Sequence, residues 1–160
     1  MVANEKNKKL APVLAAFLAA VTLSSNAAAM EGDAVKGKKV FKKCAACHTV
    51  GESAKNKVGP VLNDVVGRPA GTFADYKYGK SIIAAGEAGL VWNEEELFIY
   101  LVDPRKYLRA KLDDKKAKSK MTFKLKKEQD RLDVIAYLKT FSAPIEGEET
   151  EETEEKQSES

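Results

Sequence analysis

Both cysteines and the only histidine of the chain fall within five consecutive residues, Cys44-Ala45-Ala46-Cys47-His48. A structural zinc site needs four Cys or His ligands, and none exists outside this motif. A thioredoxin-like dithiol belongs beside a βαβ pattern, whereas residues 36–43 read as a lysine-rich helix. A disulfide is the plain structural alternative. The spacing itself points to c-type haem attachment: Cys44 and Cys47 can each add to one vinyl group, and His48 then brings an imidazole beneath the iron.

A haem iron held by His48 has a second axial position, which proteins fill with His, Met, Cys or Lys, or leave open. No second His and no spare Cys exist here, and the methionines are Met1, Met30 and Met121. Met1 lies within an apparent targeting segment and Met30 at its end, so Met121 is the methionine available to a folded core. Methionine is ordinarily core filler. Its setting among Lys118, Lys120 and Lys124 favours the ligand reading.

Residues 1–29 have the layout of a cleaved signal peptide. Lys6, Lys8 and Lys9 form a positive region, Leu10 to Leu23 an apolar one, and Ala27-Ala28-Ala29 a small-residue cleavage site. The apolar run is short for a membrane span, so export to the periplasm is expected, with an uncleaved anchor as the alternative. Residues 30–145 suffice for one domain and carry 23 Lys and Arg against 15 Asp and Glu. Residues 146–160 carry eight Glu against Lys156 and no apolar or aromatic residue. That composition predicts an acidic disordered tail, either a solubilising appendage or an electrostatic cover over the basic body.

Between these ends the pattern is all-α, with about four to five helices and no useful strand alternation. Asp33 can cap a helix running to Cys44, with Val40 and Phe41 on its apolar side and Gly37 at an expected close helix crossing. A short helix is predicted over residues 81–85, before Gly86. Asn93 and Glu96 supply a capping signal for a third helix, Asp103-Pro104 starts a fourth through Leu108, and Leu132, Ile135, Ala136 and Leu138 mark a last helix over about 127–141.

These elements, in this order, resemble class I c-type cytochromes, and most closely the soluble bacterial cytochrome c2 type that is similar to mitochondrial cytochrome c. The resemblance covers about residues 32–142. It rests on Lys42 to Val50, Gly59-Pro60-Val61-Leu62, Val66-Gly67-Arg68, Trp92-Asn93-Glu94-Glu95, Tyr100-Leu101, Asp103-Pro104-Arg105-Lys106-Tyr107, Lys120-Met121-Thr122-Phe123 and Ile135 to Lys139. It implies one haem c, attached through Cys44 and Cys47, with His48 and Met121 as iron ligands. It further implies that Pro60 accepts from His48 Nδ1, that Tyr100 reaches the Met121 sulfur, and that Arg68, Tyr78 and Trp92 surround the propionates. Gly37 and Phe41 would meet Val134 and Tyr137. The chain departs from the mitochondrial pattern at residues 109–120, which contain no Pro or Gly, so the approach to Met121 is expected to be loosely held.

With both axial positions filled by protein, such an iron exchanges electrons rather than substrate, so the expectation is a one-electron carrier and not an enzyme. Lys42, Lys43, Lys57, Lys118 and Lys120 would ring the haem edge and steer encounter with acidic partners. By family likeness these are a cytochrome bc1 complex and a cytochrome c oxidase or a photosynthetic reaction centre. Nucleic acid fits poorly with the export signal and acidic tail, and a monomer is expected. Two other readings stay open: a haem peroxidase or gas sensor with a labile sixth ligand, and a membrane-tethered electron-transfer module.

Overall fold

The computed structural model describes residues 31–143. The expected signal segment, Met1, Met30 and the acidic tail lie outside them. The described chain forms five helices: α1 (Ala34–Phe41), α2 (Lys80–Glu87), α3 (Glu94–Val102), α4 (Pro104–Lys111) and α5 (Glu128–Lys139). The only β pairing described is the isolated antiparallel bridge between Pro69 and Val91. The all-α expectation holds. Among these residues no helix is long and apolar enough to cross a membrane.

Three helix starts follow directly from side-chain chemistry. Asp33 accepts from the amides of Val35 and Lys36, Asn93 from that of Glu96 and Asp103 from that of Lys106. Each satisfies donors that an uncapped first turn leaves bare. Pro104 follows Asp103 at the start of α4, where its missing N–H removes no helical bond.

The frame is the crossing of α1 over α5. Gly37 permits it, because a Cβ there would lie 1.9 Å from the Asp133 carbonyl oxygen and 2.7 Å from Tyr137 Cβ. One turn along, Phe41 packs its ring 5.4 Å from that of Tyr137. Buried Asp133 ties the crossing further by accepting from the Asp33 amide at 2.9 Å and from Gln129 at 2.8 Å. Buried Arg131 lies over the Phe98 ring at 4.2 Å and so joins α5 to α3. Phe41, Val134, Ile135 and Leu138 are buried here and continue into a core with Leu97, Leu101 and Leu108. Burying each such side chain stabilises the fold by roughly 1.5–3 kcal/mol.

Several boundaries differ from the sequence expectation. The first helix stops at Phe41, and residues 42–47 form turns. The second includes Gly86, whose missing Cβ leaves room for the Ala70 carbonyl oxygen at 1.9 Å from where a Cβ would stand. Gly86 is therefore a packing glycine rather than a stop signal. The fourth helix continues one turn past Leu108, with Arg109 and Lys111 favourably placed at its negative end.

The segment 109–120 is firmly held, contrary to expectation. The Asp114 and Ala117 amides donate to the carbonyls of Arg109 and Asp114. The Lys116 amide donates to the Asp114 carboxylate at 2.7 Å, and the Lys118 amide to Ser81 Oγ at 3.0 Å. Ala117, only 1% exposed, is driven into the core as an anchor. These bonds replace the rigidity that Pro or Gly would have supplied.

Candidate functional site

The cysteine motif sits on a tight turn. The amides of Cys47 and His48 both donate to the Cys44 carbonyl at 3.0 Å, which places the two cysteines one turn apart with the imidazole next to them. Both thiols are free and half-buried, so the disulfide alternative is absent here. Burial pushes the Cys44 thiol up to about 11 against the opposing pull of Lys43, so it stays protonated at neutral pH.

His48 is the most tightly specified side chain of the site. Its Nδ1 lies 2.8 Å from the Pro60 carbonyl oxygen, as the family resemblance implies. A carbonyl only accepts, so Nδ1 carries the proton and Nε2 keeps its lone pair. Burial also lowers the imidazole pKa, outweighing that same carbonyl, and so favours the neutral ring. Behind the ring stands Gly59, where a Cβ would fall 2.3 Å from Cε1. The cradle is therefore built for an imidazole in one orientation.

Residues 49–63 hold that carbonyl in place. The Gly59 amide donates to the Cys47 carbonyl at 2.8 Å and the Leu62 amide to that of Thr49 at 3.0 Å. Asn56 Oδ1 accepts from the Val61 amide at 2.9 Å, fixing the Pro60–Val61 peptide. Asn63 brackets Gly51, accepting from its amide and donating to its carbonyl. The sequence reading missed both asparagines. A lone Asn in a polar loop carries no spacing signal, since what matters is the backbone group it happens to face.

The Arg68 guanidinium donates to the Asn63 carbonyl at 2.6 Å and the Val61 carbonyl at 3.3 Å, and lies 4.8 Å from the Phe73 ring centroid. Burial pushes its pKa down, partly offset by Tyr78 and Asp64. Burial likewise raises the Tyr78 phenol, with Arg68 opposing. The structure thus brings Arg68 and Tyr78 together. Trp92 joins them through the backbone: its amide donates to the Arg68 carbonyl at 2.9 Å, and the Gly67 amide to the Trp92 carbonyl at 2.7 Å.

Trp92 also packs 4.8 Å from Tyr100 and 6.0 Å from Tyr107, and the two tyrosines stand edge to face at 5.4 Å. Tyr107 donates to Glu96, whose other oxygen accepts from Lys111. Burial raises the Tyr100 phenol, with Ser119, two residues before Met121, opposing. Ser119 lies within the insertion, where no family motif marks it. Met121 is half-buried against the core, and with Thr122, Pro104 and Arg109 it lines a cavity of about 290 Å³.

These residues fit a covalently attached haem. Two free thiols and a neutral imidazole with an available Nε2 share one turn. A half-buried guanidinium whose described hydrogen bonds go only to carbonyls lies beside a phenol, a donor set suited to carboxylates. Apart from that turn, the described residues hold no cluster of His, Cys, Asp and Glu able to bind a bare metal ion.

Comparison with known proteins agrees with this chemistry. The family model described as cytochrome c matches residues 34–142. Cytochrome c2 iso-1 of Rhodospirillum centenum is 53% identical over 118 residues, spanning 70% of this chain and 98% of that protein. Cytochrome c2 of Rhodospirillum rubrum is 48% identical over 127 residues, spanning 79% of this chain and 94% of its own length. The solved structure of cytochrome c2 from Rhodospirillum centenum aligns with a TM-score of 0.68 at 51% identity, over 70% of this chain and all of that one.

Proposed function

The chain belongs to the cytochrome c family, and from that premise we propose that it is a periplasmic one-electron carrier of the cytochrome c2 type rather than an enzyme. The observation that carries the reading is the 2.8 Å contact between His48 Nδ1 and the Pro60 carbonyl, on a turn with two free cysteines. When bound, haem c supplies a reversible one-electron couple at its iron.

Each residue then has a task. Cys44 and Cys47 would hold the group covalently, and His48 Nε2 and the Met121 thioether would be the side chains that bind its iron. The Pro60 carbonyl keeps the imidazole proton on Nδ1 and strengthens His48 as a donor. A neutral sulfur ligand favours the reduced state. Arg68 and Tyr78 would donate to the haem carboxylates, while Trp92 and Tyr100 would exclude water from that side. Because every ligand is placed by backbone bonds or core packing, little has to move when the charge changes.

Surface charge selects the partner. Lys42 and Lys118 have no carboxylate partner among the described residues, and Lys57 and Lys120 donate only to the carbonyls of Ala45 and Lys77. Lys43 is partly neutralised by Asp130 at 2.7 Å. The basic edge suits acidic docking faces, with a cytochrome bc1 complex as donor and a cytochrome c oxidase or reaction centre as acceptor. Removal of residues 1–29 after export would release a monomer that diffuses between them.

The test is a redox titration of the haem-loaded protein followed by its visible spectrum. A single high-potential, low-spin transition with the weak red band of a sulfur-to-ferric-iron bond is expected, and Met121→Ala should abolish that band. A high-spin wild-type spectrum that shifts with carbon monoxide would overturn the reading in favour of a peroxidase or gas sensor. Recovery of the protein with residues 1–29 intact in the membrane fraction would favour a tethered module.

A further inference from the structure

A second cavity, of about 470 Å³, opens between the start of α2 and the segment leading to Met121. Its walls carry Lys80, Lys116, Lys118 and Lys120 with the hydroxyls of Ser81 and Ser119, and no carboxylate. The Lys118 amide donates to Ser81 Oγ at 3.0 Å, so the two walls are held together and the Ser81 proton is left to donate. Among the described residues the ammonium groups of Lys80, Lys116 and Lys118 have no hydrogen bond and no ion pair. Five of the domain's carboxylates are engaged elsewhere: Asp33 with Lys36, Asp130 with Lys43 and Lys127, Glu96 with Lys111, Asp103 with Lys124, Glu94 with Lys139.

Four lysines line this one cavity, and ammonium groups within about a Debye length of one another, roughly 8–10 Å, repel unless an anion is shared between them. The chain carries such an anion. Residues 146–160 contain eight Glu and one Lys, nearly cancelling the excess positive charge of residues 30–145. The described chain ends beside Asp64, which accepts from the Ala143 amide at 3.3 Å. At up to ~3.3 Å per residue the twelve residues that follow Ala143 carry the far end of the acidic run, Glu155, up to about 40 Å. A domain of this size is only about 35 Å across, from the usual scaling of radius with length. The tether also presents its carboxylates at an effective concentration on the order of 1 mM.

We propose that the Lys80, Lys116, Lys118 and Lys120 cavity is a polycarboxylate site whose occupant is the chain's own Glu148–Glu155 run. Lys118 and Lys120 also belong to the basic edge proposed for partner docking, so occupancy would screen that edge and release it as salt rises or an acidic partner competes. The inference goes beyond electron carriage, and its test does not depend on the redox state.

The haem-loaded full chain, mixed from isotopically light and heavy preparations, is treated with a zero-length carbodiimide that joins carboxylates to amines, and the linked peptides are mapped. Links from Glu148, Glu149, Glu151, Glu152, Glu154 or Glu155 to Lys80, Lys116 or Lys118 within one molecule are expected, fading several-fold between about 10 mM and about 0.5 M salt. Links between light and heavy chains would assign the cavity to a second copy instead, and links spread evenly over the surface lysines, or none, would overturn the proposal. As an independent readout, the full chain carrying E148Q, E149Q, E151Q, E152Q, E154Q and E155Q should bind inorganic tripolyphosphate about tenfold more tightly at low salt, if the tethered run at ~1 mM competes with an intrinsic constant near ~0.1 mM. K80S, K116S and K118S together should remove that difference. Equal affinity of the wild-type and glutamine-substituted chains would refute a self-occupied site.

Discussion

Replacing Gly37 with Ala sets two effects against each other, and the structure decides the sign. Alanine favours a helix over glycine by about 1 kcal/mol, so an uncrowded α1 would be stabilised. The new methyl, however, would stand 1.9 Å from the Asp133 carbonyl oxygen, 2.6 Å from its carbon and 2.7 Å from Tyr137 Cβ. An ordinary carbon-to-oxygen contact is about 3.3 Å, so α1 and α5 must part by roughly 1.4 Å. The obstacle is helix backbone, which has no rotamer to change. A gap of even 0.5–1 Å forfeits about a quarter to a half of each dispersion contact it opens, and Phe41, Val134 and Tyr137 meet at this crossing. Overpacking of this kind costs about 1–3 kcal/mol or more. With the upper end applying to a rigid neighbour and the helix-propensity gain subtracted, the net loss should be about 2 kcal/mol, or on the order of 8 °C in melting temperature for a domain of this size. Guanidinium and thermal unfolding of the haem-loaded protein, followed by far-ultraviolet circular dichroism, would measure it, with exposed Lys39→Ala as the control for helix propensity. A Gly37→Ala protein as stable as the wild type, or more so, would show that the two helices are not in backbone contact.

Gly59→Ala attacks the site rather than the frame. Its methyl would fall 2.3 Å from His48 Cε1, so the imidazole must leave the Pro60 carbonyl; the expected outcome is a lower yield of low-spin haem protein, and an unaltered spectrum would refute the cradle. Stability should also fall in acid for a defined reason. The Asp130 carboxyl is held below its ordinary value of 3.8 chiefly by the Lys43 hydrogen bond, and that of Asp103 chiefly by the Lys124 hydrogen bond. The folded state therefore binds fewer protons than the unfolded one, and this contribution is complete above about pH 5 and disappears as the carboxyls protonate below it. Urea midpoints measured between about pH 7 and pH 3 should decline less steeply for Asp103→Asn with Asp130→Asn than for the wild type; parallel curves would show that these pairs carry no such linkage.

The helix caps at Asp33, Asn93 and Asp103 were legible because capping is local: a side-chain oxygen meets an amide two or three residues on. A close crossing at Gly37 was legible too, since glycine inside a helix demands a reason, but its partner on the last helix was anticipated only through family resemblance. The Pro60 carbonyl opposite His48 was anticipated only through family resemblance, because twelve residues of loop separate them and spacing alone does not bring them together. The roles of Asn56 and Asn63 were not legible, nor was the true meaning of Gly86, because each depends on a backbone group brought close by the rest of the fold. The insertion shows the same limit from the other side. Without Pro or Gly it reads as loose, yet Ala117 in the core and Ser81 across the gap hold it firmly.

Composition and spacing thus determine this protein's chemistry. Two cysteines, one histidine and one available methionine leave few ways to bind anything but a covalently attached haem. Which atom of His48 holds the proton, which charges meet and which lysines are left without a carboxylate are decided by tertiary structure. Covalent chemistry depends on which residues are present, whereas electrostatics and hydrogen bonding depend on distances of a few ångströms between segments far apart in the chain.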